Sequence, residues 1–274
     1  MNKPALYMLC GLPGSGKTTI AAQMANEDPN TVIVSIENTN NKDIRKSLES
    51  GKDVIVDYPN VTMKSRRYVL TEVDDLEIDR VCLIIPKPYR DCIKDIDYIE
   101  YPVYPDLIER SRRQFEIPFM EEGWDKIEFV NLLYNYHPNT LPNMHDFNQR
   151  NPHHTMDLFN HCKGTAKIFS KYNYHLGFLG GALYHDMGKM YTQSFDKDGI
   201  AHYFNHQNVG AYDYMTAMYH TDPDSVLDTC FLINYHMLPF DWTNEAAKKR
   251  WEKRFGEYKY QLLLDFHECD IEAR

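Results

Sequence analysis

Two groups of residues in this 274-residue chain have the types and spacing to do chemistry. The first is the run Gly11-Leu12-Pro13-Gly14-Ser15-Gly16-Lys17-Thr18-Thr19. It follows the apolar segment Ala5–Leu9 and leads into a helix-compatible stretch, Thr19–Ala25. A glycine-rich turn between strand and helix lets backbone N–H groups converge on phosphate oxygens, and the helix N-terminus adds favourable partial charge. In that setting Gly11, Gly14, Ser15, Gly16, Lys17, Thr18 and Thr19 would cradle the phosphates of ATP. Lys17 would reach the β/γ-phosphates and the Thr18 hydroxyl would hold Mg²⁺. Asp57 closes the apolar run Val54-Ile55-Val56, where a carboxylate can orient the water shell of that Mg²⁺. The second group comprises His161, the adjacent pair His185-Asp186, Lys189, His206, His236 and Asp270. Imidazole and carboxylate together suit borderline transition metals such as Mn²⁺, Fe, Co²⁺, Ni²⁺ or Zn²⁺.

Both groups need elements to position them. In the first half, Ala5–Leu9, Thr31–Ile36, Asp53–Asp57, Arg80–Ile85 and Lys126–Val130 are short apolar, β-branched-rich runs. Polar helical stretches such as Lys42–Ser50 and Met63–Val73 separate them. That alternation predicts an α/β domain with a parallel sheet and flanking helices. From about Leu133 to Pro152 the chain is rich in Asn, Pro and His and has no periodicity. Beyond it, Thr155–Tyr172, Leu176–His185, Asn205–Met218, Val226–Tyr235 and Glu245–Ile271 read as helices with apolar faces. The expected organisation is therefore an α/β domain over residues 1–133, a linker over 134–150 and an all-α domain over 151–274.

Composition narrows the classes. Hydrophobic residues make up 43% of the chain, ample for two cores. No apolar run approaches the roughly 18 residues that span a bilayer. Met1-Asn2-Lys3-Pro4 runs straight into the first strand, which leaves no room for a signal peptide. The six cysteines form no CxxC pair and read as thiols in a reducing compartment. The expected setting is the cytoplasm, with no membrane partner. A formal net charge of −10 argues against non-specific duplex binding, though a local basic funnel at Arg66-Arg67 or at Arg110, Arg112 and Arg113 would admit a nucleic-acid end. Isolated histidines (His137, His145, His175, His202, His220, His267) read as structural or surface residues.

With the phosphate loop, the stretch Gly51-Lys52-Asp53-Val54-Ile55-Val56-Asp57-Tyr58-Pro59-Asn60 resembles the third strand and exit of the P-loop polynucleotide kinases. Phe115-Glu116-Ile117-Pro118 and Glu121-Glu122-Gly123-Trp124-Asp125 resemble that group's closing segment. The resemblance covers about the first 130 residues and implies an acidic general base after the second strand, a position that falls at Glu37. No arginine follows Glu37 until Arg45, and the lid region Asp95–Tyr101 is acidic and aromatic where these kinases carry arginines. Arg90, or Arg110, Arg112 and Arg113, are the alternatives for the lid role, or else solvated helix charges.

The order His161, His185-Asp186, Asp270 is similar to that of the HD superfamily of metal-dependent phosphohydrolases. Asn151-Pro152-His153-His154, Leu183–Lys189 and Cys269-Asp270-Ile271-Glu272-Ala273 share the likeness, which spans residues 151–274. It implies that His161, His185, Asp186 and Asp270 hold one ion, and that His206 and His236 add a second with Asp186 bridging. Lys189 could then steady a phosphate as a point charge, and His153 or His154 could contact substrate. Phosphoryl transfer joined to phosphoester hydrolysis suggests healing of RNA or DNA ends: 5′-hydroxyl phosphorylation plus 3′-phosphate removal or 2′,3′-cyclic phosphate opening, with a nucleic-acid ligase acting next. In known fusions of these modules the HD part comes first, the reverse of the order here. Two alternatives stand beside this one. One is a nucleoside or nucleotide kinase with a nucleotide phosphohydrolase. The other is an HD enzyme regulated by a non-catalytic ATP-sensing domain.

Overall fold

The computed structural model describes residues 3–35, 41–98, 104–130, 141–145, 147–150 and 156–273. Glu37, His153 and His154, together with much of the expected linker, lie outside the described residues. The chain divides into two compact units, one made of residues 1–112 and 118–137, the other of 113–117 and 138–274.

The first unit is a five-stranded parallel sheet: β1 (Ala5–Cys10), β2 (Thr31–Val34), β3 (Asp53–Val56), β4 (Asp79–Ile84) and β5 (Lys126–Phe129), in the order β2-β3-β1-β4-β5. Helices α1 (Lys17–Glu27), α2 (Asn41–Glu49), α3 (Met63–Glu72), α4 (Tyr89–Lys94) and α5 (Pro105–Arg112) connect the strands. Strands covered on both faces read as nearly continuous apolar runs, and Leu6, Met8, Leu9 and Cys10 of β1 are wholly buried. The register sets Met8 beside Val56 and Cys10 beside Ile84, so β1 and β4 end level and β3 ends two residues earlier. Ligand crevices in such sheets open at the carboxyl ends of the strands, where connections leave in opposite directions. The phosphate loop leaves β1 there, with Asp57 just past β3 on one side and Lys87 just past β4 on the other.

Two anchors brace this crevice. Asn60 is buried, and its Nδ2 donates to the Leu9 carbonyl at 2.8 Å, tying the β3 exit to the end of β1. Arg66 is also fully buried, with its Nε and Nη2 donating to Glu122 at 2.8 and 2.5 Å and its Nη1 to the Asn60 carbonyl at 3.0 Å. Arg66 therefore belongs to the core and offers no charge to a surface funnel. Arg112 is buried as well, 3.4 Å from Glu109 and stacked over the Tyr89 ring. Arg45 is held by Glu49 and by both Asp75 oxygens. Of the arginines named as a basic funnel, Arg67 and Arg110 are exposed.

The second unit is helical: α6 (Leu158–Phe169), α7 (Leu176–Tyr184), α8 (Lys189–Thr192), α9 (His206–Met218), α10 (Pro223–Tyr235) and α11 (Glu245–Glu272). Side-chain caps mark several starts. Asp157 accepts from Asn160 N, Asp222 from Ser225 N and Asn244 from Ala247 N. Helix α9 is the central one, buried from Val209 to Ala217. Helix α11 breaks at Gly256, where φ is +73°, before the half that carries Asp270. A short hairpin, β6 (Ser194–Phe195) and β7 (Ala201–His202), interrupts the helices. Alternation over two-residue strands is too brief to leave a periodic signal. Part of the segment read as the close of the first domain clusters here instead. The Phe115 carbonyl accepts from Asn208 and Asn234, and Ile117 N donates to Asn234 Oδ1.

Candidate metal centre and phosphate loop

In the second unit, six side chains converge from α6, the turn between α7 and α8, α9, the end of α10 and α11. Ligand atoms of His161, His185 and Asp270 lie within 4.8 Å of one another, as do those of Asp186, His206 and His236, and all six residues are buried. Asp186 divides its carboxylate between the two sets. Its Oδ2 is 3.6 and 3.4 Å from Nε2 of His161 and His185. Its Oδ1 is 3.0 and 3.6 Å from Nε2 of His206 and His236. Asp270 Oδ1 completes the first set at 3.0 Å from His161 and 3.4 Å from His185.

The backbone orients each imidazole. His185 Nδ1 lies 2.8 Å from the Ala182 carbonyl, His206 Nδ1 2.9 Å from that of Tyr203 and His236 Nδ1 2.9 Å from that of Ile233. His161 Nδ1 faces the Ala273 carbonyl at 3.4 Å. A carbonyl can only accept, so Nδ1 carries the proton and Nε2 presents a lone pair to the centre. Two such pairs then face each other, His161 with His185 at 3.2 Å and His206 with His236 at 3.3 Å. Opposed lone pairs repel unless a cation lies between them. Ligands held about 2.1 Å from an ion also stand roughly 3 Å apart across an octahedral edge. The donor set therefore fits divalent metal ions on both sides of Asp186, with a carbonyl fixing each ligand from behind.

Charge and burial around the centre hold Asp186 ionised and His236 neutral, while, against burial, Cys162 and Asp186 push the His185 ring well above the usual imidazole range. Burial alone would raise the Asp186 carboxyl, but Lys189 and His185 outweigh it and hold it well below the usual carboxylate range. Burial lowers His236 to about 4, leaving its ring neutral. Lys189 is itself buried, with Nζ 2.6 Å from Asp186 Oδ2 and 3.0 Å from Gln149 Oε1. Gly188 admits the close approach beneath: a Cβ there would lie 1.9 Å from the His206 carbonyl oxygen. A cavity of about 250 Å³ opens beside the cluster, lined in part by Asp186, Lys189, His206, His236 and Asp270.

In the first unit the loop is built from backbone. Gly14 and Gly16 have φ of +80° and +95°, conformations that glycine adopts freely. Lys17 Nζ donates to the Gly11 and Leu12 carbonyls at 3.1 and 2.8 Å. Burial lowers its ammonium to about 8, against the pull of Asp57. Thr18 Oγ1 donates to Asp57 Oδ2 at 2.8 Å, so the two groups read as Mg²⁺ holders meet across 39 residues of sequence. Ser15 Oγ is buried with no hydrogen-bond partner, as expected of a donor aimed at a phosphate. Lys87 adds a cation absent from the sequence reading. Its Nζ lies 2.8 Å from the Gly14 carbonyl and 2.5 Å from Asp95 Oδ2, and the side chain is 5% exposed. The signal was its place just after β4, beside β1. Gln149, Gly188 and the four carbonyls behind the histidines were also missed, since none is a recognisable ligand type.

Residues 158–270 match the family model of the HD domain, so this part of the chain is an HD domain. No curated protein matches the chain in sequence. The N-terminal part resembles solved kinase structures. A fungal RNA kinase aligns at 14% identity and TM-score 0.42, over 48% of this chain and 39% of that one. A gluconokinase from Sinorhizobium meliloti 1021 aligns at 14% identity and TM-score 0.35, over 48% of this chain and 86% of that one. The alignment thus spans about two fifths of the RNA kinase.

Proposed function

We propose that the chain is a bifunctional enzyme that heals nucleic-acid ends. The first unit transfers the γ-phosphoryl group of ATP to a 5′-hydroxyl. The HD domain removes a 3′-phosphate or opens a 2′,3′-cyclic phosphate. The observation that carries this reading is the presence in one chain of two phosphate-directed sites: a loop backed by Thr18–Asp57, and a carboxylate shared between two imidazole sets.

In the transfer step the 5′-oxygen forms a bond to the γ-phosphorus as the bond to ADP breaks. Gly14, Gly16 and Thr19 direct backbone donors and Ser15 its hydroxyl at the phosphates, whereas the Gly11 N–H, expected to join them, donates to the Pro59 carbonyl at 3.0 Å and Gly11 serves the turn alone. Lys17 and Lys87 approach the loop from two sides and supply positive charge where the phosphoryl oxygens gather it. Thr18 and Asp57 hold Mg²⁺, and Glu37 is the base that takes the hydroxyl proton. In the hydrolytic step a water oxygen bonds to phosphorus, the P–O3′ bond breaks, and the ribose oxygen leaves with a proton. Bound metal ions supply Lewis-acid charge neutralisation and a nucleophilic water at neutral pH. His161, His185 and Asp270 would hold one ion and His206 and His236 another, with Asp186 offering one carboxylate oxygen to each set. Lys189, held between Asp186 and Gln149, faces the cavity as a fixed positive charge. The products, 5′-phosphate and 3′-hydroxyl ends, are what a nucleic-acid ligase joins. Among the described residues no helix is long and apolar enough to cross a membrane.

The test is incubation with a 5′-hydroxyl, 3′-phosphate RNA oligomer, ATP and Mn²⁺, with both ends read by mass spectrometry. Gain of one phosphate and loss of the other supports the proposal; an unchanged oligomer refutes it. One observation favours a second reading, in which the first unit senses nucleotide without turnover. Arg66 is committed to the buried Glu122, and Arg112, itself buried, to the half-buried Glu109, which removes both from phosphoryl transfer. That reading predicts ATP binding, no 5′ gain, and 3′ hydrolysis that depends on ATP.

A further inference from the structure

The cavity beside the metal cluster has two unlike walls. One carries Asp186, Lys189 and the histidines. The other carries Tyr203, Phe204 and Met237, with His202 behind. Phe204 is 67% exposed, and its ring lies nearly parallel to that of His202, with centroids 5.6 Å apart and an interplanar angle of 8°. The ring makes no contribution to the core, yet its backbone is held. Arg113 Nη1 donates to the Phe204 carbonyl at 3.3 Å. The next residue, Asn205, takes a left-handed turn with φ +62° that starts α9. Phe204 is therefore fixed two residues from the ligand His206. Its neighbour Tyr203 is used otherwise: its carbonyl orients His206, and its hydroxyl accepts from Gln193 and donates to the Gln149 carbonyl. Of the described residues that line this cavity, Phe204 and His202 are the pair whose rings stack on one another.

A pocket with a cationic pole and an aromatic pole selects a phosphate ester whose other end is flat and aromatic. Ribose phosphates and inorganic polyphosphates would satisfy only the first pole. We propose that Phe204, backed by His202, is a stacking platform for the base of the nucleotide whose phosphate the HD domain removes. The substrate class is thus a phosphorylated nucleoside end. This rests on the phosphohydrolase reading and adds the group that recognises the leaving nucleoside. Stacking has no preference among bases, so the platform reads the presence of a base and not its identity.

The probe is 2-aminopurine riboside 3′-phosphorothioate, which is slow to hydrolyse and loses fluorescence when its base stacks. It is titrated into the full chain reconstituted with Zn²⁺, with ribose 3-phosphate as the abasic comparison. The wild type should quench the probe and bind it about tenfold more tightly than the abasic compound. Phe204→Ala should abolish the quench and equalise the two affinities, and Phe204→Trp should restore both. The exposed ring leaves folding of the variants intact, which a thermal melt checks. Equal affinities in the wild type, binding without quench, no binding at all, or full quench in Phe204→Ala would each overturn the proposal. Phosphate release from a 3′-phosphorylated oligomer is followed in parallel. Quench without release supports the platform and removes the hydrolase reading; release without quench does the reverse.

Discussion

The phosphate loop takes its groups from nine consecutive residues, Gly11 to Thr19, whereas the metal ligands run from His161 to Asp270. The loop works mainly through backbone, with Gly14 and Gly16 in left-handed conformations and Thr18 exposed. The six metal ligands are buried side chains, each imidazole fixed by a carbonyl behind it. A backbone site is specified locally, by residues that permit a turn, and it tolerates change elsewhere in its unit. A side-chain site depends on the packing of every helix that contributes to it. Damage to the second unit should therefore spread to its chemistry sooner than damage to the first.

Substitutions can break or sharpen that contrast. The largest effect is expected from Asp186→Asn, which removes the carboxylate shared by both imidazole sets. Release of 3′-phosphate should fall by roughly a thousandfold or more, beyond the ~10–100-fold that loss of an outer partner costs, and metal analysis should show lost ions. Lys17→Ala should lower 5′ phosphorylation by about 10²–10³-fold, the scale of a lost transition-state donor, measured by labelled phosphate transfer. Arg66→Met leaves Glu122 buried without its partner and should destabilise the first unit by about 3–5 kcal/mol in urea melts, with Arg66→Met/Glu122→Leu recovering most of it. Unchanged stability with lost oligomer binding would return Arg66 to the surface-funnel role.

Gly188→Ala probes the packing beneath the metal centre. Its Cβ would meet the His206 carbonyl, so a loss of about 1–3 kcal/mol is expected, together with weaker metal binding by calorimetry. The smallest effect is a pH dependence. Lys17 has its ammonium lowered to about 8 by burial. Below that pH it is charged and attracts phosphate; above it the charge is lost. ATP affinity should therefore weaken as pH rises through 8, approaching roughly tenfold per unit. Affinity flat from pH 7 to 9.5 would show that Lys17 keeps its proton.

The contrast also explains what could be read from the residues alone. Strands β1 to β5 were legible as short apolar runs and the five longer helices of the second unit as longer segments rich in apolar residues, and they stand within a few residues of where those segments lie. Asp57 was legible because an acidic residue ended an apolar run, and it does meet Thr18. Hidden features all depend on tertiary neighbours. Arg66 looked like surface charge until Glu122, 56 residues away, was seen to enclose it. Lys87 reads as an ordinary loop lysine until β4 lies beside β1. The segment Phe115–Ile117 has strand-like apolarity, but Asn208 and Asn234 capture its backbone. Glu37 remains a reading of the sequence alone.

The most direct test crosses the two sites on one substrate. The wild type, Lys17→Ala and Asp186→Asn are each given a 5′-hydroxyl, 3′-phosphate RNA oligomer with ATP and Mn²⁺, and both ends are weighed. The account predicts that Lys17→Ala loses only the 5′ gain and Asp186→Asn only the 3′ loss. Loss of both changes in either variant, or a wild type that alters neither end, would contradict it.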